Sequence, residues 1–206
     1  MSTPPKTAPP IPNRLELPIG DEMLLRVDFD RAGDRWRHRI LLVVPEGMGI
    51  VSPVLLLESV EGTHEHDWPV SPPLQGISIE TRPKKLPVAL LVGVSGDGHW
   101  SASVEQLAAE RMIRFDIACR AKSRPEVLGS RYRLAPRAAL KKVDADSGTI
   151  QFAAAGQTFE LRSASGPDSS PPTLRMHEAE MQILFDQPLS DDAKTYRWLY
   201  QLRTII

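Results

Sequence analysis

Val88-Ala89-Leu90-Leu91-Val92-Gly93-Val94-Ser95-Gly96-Asp97-Gly98-His99-Trp100-Ser101-Ala102-Ser103-Val104-Glu105 decides how this chain reads. Two runs rich in strand-forming residues flank Gly96-Asp97, a pair that tolerates positive φ, which spells a hairpin closed by a two-residue turn. That register sets Gly93 across from Trp100, and the absent side chain leaves room for the indole.

Working outward, the same period of two recurs. Met23, Leu25, Val27 and Phe29 alternate with polar neighbours, and Trp36, His38, Ile40, Leu42 and Val44 carry the apolar face back after Arg31-Ala32-Gly33-Asp34. A four-residue loop there places Phe29 opposite Trp36, Asp28 opposite Arg37 and Asp30 opposite Arg35, so the arginine series reads as cross-strand pairing. Val51 to Val60, apolar on both faces at its centre, reads as a strand covered on both sides. Gly76 to Glu80, Arg111 to Arg120, Ser130 to Leu134, Leu140 to Asp144, Thr149 to Ala153 and Thr158 to Arg162 are further strands, and Gln106 to Glu110 offers one helical turn. In the tail, Leu174 and Met176 share one parity and Ala179, Met181, Ile183 and Phe185 the other, which predicts a β-bulge near His177-Glu178. Tyr196, Trp198, Tyr200 and Leu202 alternate in a last strand.

About a dozen short strands with almost no helix predict an all-β, antiparallel two-sheet sandwich, jelly-roll-like or Greek-key. Length supports one domain over 14–206 behind a disordered, Pro-rich leader at 1–13, with Ser163 to Pro172 as a surface loop. Lys and Arg number 25 against 26 Asp and Glu, so no overall positive field exists to draw in nucleic acid or an anionic membrane. The leader has no apolar h-region, and Cys119 is the only cysteine; both fit a cytoplasmic location. Cys119 sits among Ile113, Phe115 and Ile117 and reads as a small buried hydrophobe.

Titratable and aromatic groups converge on Thr63-His64-Glu65-His66-Asp67-Trp68 and on the hairpin tip at 95–100. His64-Glu65-His66 on extended backbone points both imidazoles to one side, as a metal requires, and His99 offers a third nitrogen. Trp36, Trp100 and Trp198 fall on apolar strand faces, whereas Trp68 stands in a polar loop beside Pro69. No nucleophile elbow is present, and Gly93-x-x-Gly96-x-Gly98 lacks the helix that a dinucleotide site needs.

The two-histidine pattern resembles the first motif of the cupins, metal-dependent jelly rolls. The resemblance implies a divalent transition metal held by His64, His66 and His99. The chain departs from that motif where a carboxylate is expected, at Val70 or Ser71, and where a glycine is expected, at Glu58.

The reading adopted is a non-catalytic binding module for a carbohydrate or protein ligand, with no cofactor. Its contact residues are His64, His66, Asp67, Trp68 and His99. Beside it stand a cupin-like metal enzyme and an assembly protein that forms a homo-oligomer through an edge strand such as Tyr196 to Ile206.

Overall fold

The computed structural model describes residues 13–20, 22–46, 50–63, 65–81, 83 and 85–205. His64 lies outside them, as does the leader expected over 1–13, apart from Asn13. Strict alternation builds the first sheet. β1 (Arg14–Gly20) buries Leu15, Leu17 and Ile19 and exposes the residues between them, a signal the sequence reading passed over. Its Pro18 is tolerated because β1 is an edge strand. β2 (Met23–Ala32), β3 (Arg35–Glu46) and β4 (Ile50–Ser59) follow as a meander. Opposite Ile40 and Leu41, β4 carries one extra residue, Leu56. That bulge turns Leu56 and its neighbour Leu57 both into the core, each fully buried, which accounts for an apolar run that does not alternate.

Segment 60–75 then crosses to the second sheet. The Trp36 N–H donates to the Leu74 carbonyl at 2.6 Å and the Gln75 N–H to the Val92 carbonyl at 2.8 Å, so the crossing is stitched to both sheets. A second meander comprises β5 (Gly76–Glu80), β6 (Val88–Ser95), β7 (Gly98–Leu107) and β8 (Met112–Ala121). The chain returns as β9 (Gly129–Leu134) beside β4, then crosses again for β10 (Ala139–Asp144), β11 (Thr149–Ala154) and β12 (Gln157–Ala164). The hairpin of β13 (Thr173–His177) and β14 (Glu180–Leu184) joins the first sheet, and β15 (Lys194–Ile205) the second.

The result is an antiparallel two-sheet sandwich, as expected. Sheet 1 runs β1-β2-β3-β4-β9-β14-β13 and sheet 2 runs β10-β11-β12-β15-β8-β7-β6-β5. One continuous apolar core fills the space between them. At its centre Phe115 stacks on Tyr200, with ring centroids 4.9 Å apart and an interplanar angle of 7°, and on His38 at 5.7 Å. Trp100 meets Trp198 edge to face at 6.1 Å, and such aromatic pairs add roughly 0.5–1.5 kcal/mol each beyond the area they bury. Cys119 is fully buried here, and burial pushes its thiol up to about 12. No helix among the described residues is long and apolar enough to cross a membrane.

Several local expectations are corrected. The β2–β3 turn is the two residues Gly33-Asp34, with Gly33 at φ +65°, so the register slides by two and pairs Phe29 with His38 and Asp30 with Arg37. Neither expected pair forms: Asp30 bonds Arg37 at 2.7 Å, Asp28 lies opposite Arg39, and Arg35 lies opposite Ala32, takes Asp34 as partner at 2.9 Å and is buried. Gln106 and Leu107 complete β7, and the helical turn is replaced by a tight turn with Arg111 at φ +50°. The parity switch at His177 is a two-residue turn, with Glu178 at φ +53°, and not a bulge. Most consequentially, β15 is no edge: it pairs with β12 on one side and β8 on the other.

Candidate functional site

The β6–β7 hairpin forms in the anticipated register, Gly93 opposite Trp100 and Ser95 opposite Gly98. Only Gly96 of the turn has positive φ, +48°, the pattern of a type II′ turn. Residues His66, Asp67 and Trp68 pack directly against this tip. Ser95 Oγ donates to the His66 carbonyl at 2.8 Å, and a Cβ on Gly96 would lie 2.7 Å from the Asp67 Cβ. A Cβ on Gly98, the first residue of β7, would lie 2.9 Å from Trp100 Nε1 and 3.0 Å from the Trp68 ring, so the approach of the loop demands Gly96 and the two indoles demand Gly98.

Of the expected contact residues, the structure therefore joins His66, Asp67 and Trp68 to the hairpin tip. His66 and Asp67 are exposed, and His66 Nδ1 shares a hydrogen with Thr63 Oγ1 at 2.9 Å. Trp68 is half-buried and packs on the core, so it plugs the end of the sandwich. His99 is exposed on the outer face of β7, opposite Val94 on β6 and Arg120 on β8. His64 lies outside the described residues, and among those described no three His, Cys, Asp or Glu side chains gather as a metal site would require.

Beside the tip, the outer face of β6 carries Leu90, Val92 and Val94, which are 39%, 59% and 50% exposed. Alternation gives every second residue of β6 to the core, and here the outward residues are aliphatic too. Facing them across β7 are Ser103, Ser101 and His99. Across β5, Val92 faces Gly76, whose missing side chain leaves its flank open. The sequence signal for this row is the presence of aliphatic residues on both parities of Val88 to Val94.

A second polar cluster lies inside. His38 Nε2 bonds the Tyr132 hydroxyl, which in turn meets the Tyr200 hydroxyl at 2.8 Å. The His38 N–H donates to Ser59 Oγ at 2.9 Å, and that hydroxyl donates to Glu61 at 2.5 Å. Burial holds His38 down at about 4, against a smaller upward pull from Asp30. Burial also pushes Glu61 up to about 7, although Ser59, Arg35 and Arg37 act the other way. The enclosed space is about 10 Å³, room for one water and no organic substrate, so the cluster organises the core instead of presenting chemistry to a ligand. Its members are far apart in sequence and only the fold assembles them.

No protein-family model matches this chain, and no curated protein matches it either. The site is therefore read from its own geometry.

Proposed function

We propose that this chain is a non-catalytic binding module that takes an extended, apolar stretch of a protein partner along the outer face of β5–β7, beside the hairpin tip. The observation that carries this reading is the row Leu90, Val92 and Val94, exposed at every second residue. A partner in extended conformation presents side chains with the same period of two, which suits such a row. Gly76 gives a partner side chain access to the flank of Val92, while Ser101, Ser103 and His99 supply a polar rim. His66 and Asp67, tied to Ser95 and Gly96, extend that rim past the end of the row.

A protein ligand is favoured over a carbohydrate because sugar stacking needs an open aromatic face. Trp100 and Trp198 are buried, Trp68 packs on the core, and the guanidinium of Arg31 lies 4.6 Å from the ring centre of Trp36.

The test is to pan a random peptide library against the whole chain, with a Val92→Lys, Val94→Lys double variant as counter-selection. Enriched peptides should be aliphatic at alternate positions and lose binding to the variant, while its thermal midpoint stays at the wild-type value. Enrichment of peptides that bind both proteins equally, or a positive response only to an oligosaccharide panel, overturns the reading.

A further inference from the structure

On the opposite half of sheet 2, the β10–β11 hairpin and the start of segment 163–172 wall a groove of about 580 Å³ on the outer face, within the size range of small-ligand clefts. Its floor is polar and tightly built. Glu160 and Gln201 line it although they are only 6% and 9% exposed. Cross-strand register places Gln151, Glu160 and Arg203 in one row, and Thr149, Arg162 and Gln201 in the next.

Both carboxylates in the groove are already satisfied. Glu160 accepts from Arg203 Nε at 2.9 Å through one oxygen and from Gln151 at 3.0 Å through the other. Asp144 accepts from Lys142 at 2.8 Å and from the Ser147 N–H at 3.0 Å. The lining cations are three, Lys142, Arg162 and Arg203, and the first and last are spent on these carboxylates. Arg162 is not. Its Nε donates to the side-chain carbonyl of Gln201 at 2.8 Å, and among the described residues Nη1 and Nη2 have no protein partner.

We propose that this groove binds a small oxyanion-bearing ligand, a phosphate or carboxylate compound, with Arg162 as its anchor. Gln201 fixes the guanidinium by its Nε, which leaves the two terminal nitrogens for an acceptor with two oxygens; that is the geometry in which arginine recognises carboxylate and phosphate. The surplus positive charge gives the groove its sign. The hydroxyls of Ser147 and Thr149, 2.9 Å apart, and of Ser163 and Ser165 stand at the rim, where they suit further hydroxyl or carbonyl groups of an organic ligand. This inference is independent of the β6 surface, which lies across the sheet beyond β15, β8 and β7.

The experiment is an NMR titration of the full chain that follows backbone amides and arginine Nε–Hε signals, with inorganic phosphate, a sugar phosphate and citrate as separate probes. Saturable shifts are expected at Arg162 Nε–Hε and at the amides of Thr149, Ser163 and Ser165. Arg162→Gln should weaken binding roughly tenfold or more, as loss of a charge-assisted bidentate contact implies, while Arg175→Gln on sheet 1 leaves it unchanged. Saturation by inorganic phosphate as well as sugar phosphate supports an oxyanion site as such. Saturation by the sugar phosphate or citrate alone supports it and names the organic class. Because the shifts are read on the wild-type protein, a variant that misfolds does not cloud the answer. Linear, non-saturating shifts spread over the surface arginines, or full affinity in Arg162→Gln, overturn the proposal.

Discussion

The side chain of Gln75 pairs with both backbone groups of Val94: its Nε2 donates to the Val94 carbonyl and its Oε1 accepts the Val94 N–H, each at 3.0 Å. With its own N–H donated to Val92, Gln75 continues the β5 edge past Gly76, where the backbone has already turned away from the sheet. A side-chain amide thus closes an edge that would otherwise offer bare donors and acceptors.

Gln75→Ala should reopen that edge. Two solvent-facing hydrogen bonds are lost at a net cost of about 1 kcal/mol. Hydrogen exchange at the Val94 amide is the direct check: it should accelerate clearly, while amides of β8 keep their protection. Unchanged exchange at Val94 would mean the amide pairing is not formed in solution.

Gly93→Ala should be severe. A Cβ there would sit 1.8 Å from the Pro73 carbonyl oxygen, and that carbonyl belongs to the backbone of the crossing segment, which cannot swing aside. A cost of about 3 kcal/mol, or roughly 6–12 °C in Tm for a domain of this size, is expected. Gly156→Ala is the contrast: nothing lies within 4 Å of its added Cβ, so only its φ of +76° resists, and the loss should be smaller. Calorimetry of the two variants side by side decides the point.

Opposed titrations should flatten the pH dependence of stability. The folded pKa of His38 is depressed from 6.5 to about 4, so its contribution is present above 6.5 and lost as pH falls toward 4. That of Glu61 is raised from 4.5 to about 7, so its contribution is present below 4.5 and lost as pH rises through 7. The two slopes oppose each other in the shared window. Glu61→Gln should unmask the His38 slope, and stability relative to wild type should rise by about 3 kcal/mol from pH 4.5 to 7. Denaturant unfolding across that range measures it; a constant difference would show that Glu61 does not titrate there. Asp34, Arg35, Arg37 and Ser59 face Glu61, and Asp30 and Tyr132 face His38, so these neighbours must be left in place.

Tyr132→Phe should cost about 1–3 kcal/mol. It removes the hydroxyl that joins His38 to Tyr200 and takes one hydrogen bond from each while preserving the ring packing; Tyr200 keeps its bond to Ser130. Coupling is the sharper measurement: a Tyr132→Phe, Tyr200→Phe double variant should lose less than the sum of the singles, because each single already breaks the one bond the two hydroxyls share. Strict additivity would argue that the hydroxyls do not interact.

Much of the architecture was legible because a strand writes its own burial pattern. Leu25, Trp100, Ile117 and Trp198 fall on the apolar faces that alternation assigns them, and the polar and aromatic residues crowded into His66-Asp67-Trp68 and the 95–100 tip point to the contact between them. The loop tryptophan was harder. Trp68 stands in a polar stretch, yet its ring covers Gly98 and the core end, since a large apolar ring beside a gap in a sandwich gains more by filling it than by facing water. Gly93 was correctly singled out but for the wrong neighbour: the Pro73 backbone, twenty residues upstream, is what excludes a side chain.

By itself, then, the sequence determined the all-β class, the extent of most strands and the β6–β7 register, because alternation and turn chemistry act over a few residues. Tertiary structure alone decided that β15 runs through the middle of sheet 2, that Arg35 is buried, that His38, Glu61, Tyr132 and Tyr200 meet, and that Arg162 stands over a groove with its terminal nitrogens unpartnered among the described residues. Strand order and cross-sheet contacts follow from the burial of the whole set of apolar faces at once, and no local pattern specifies that sum.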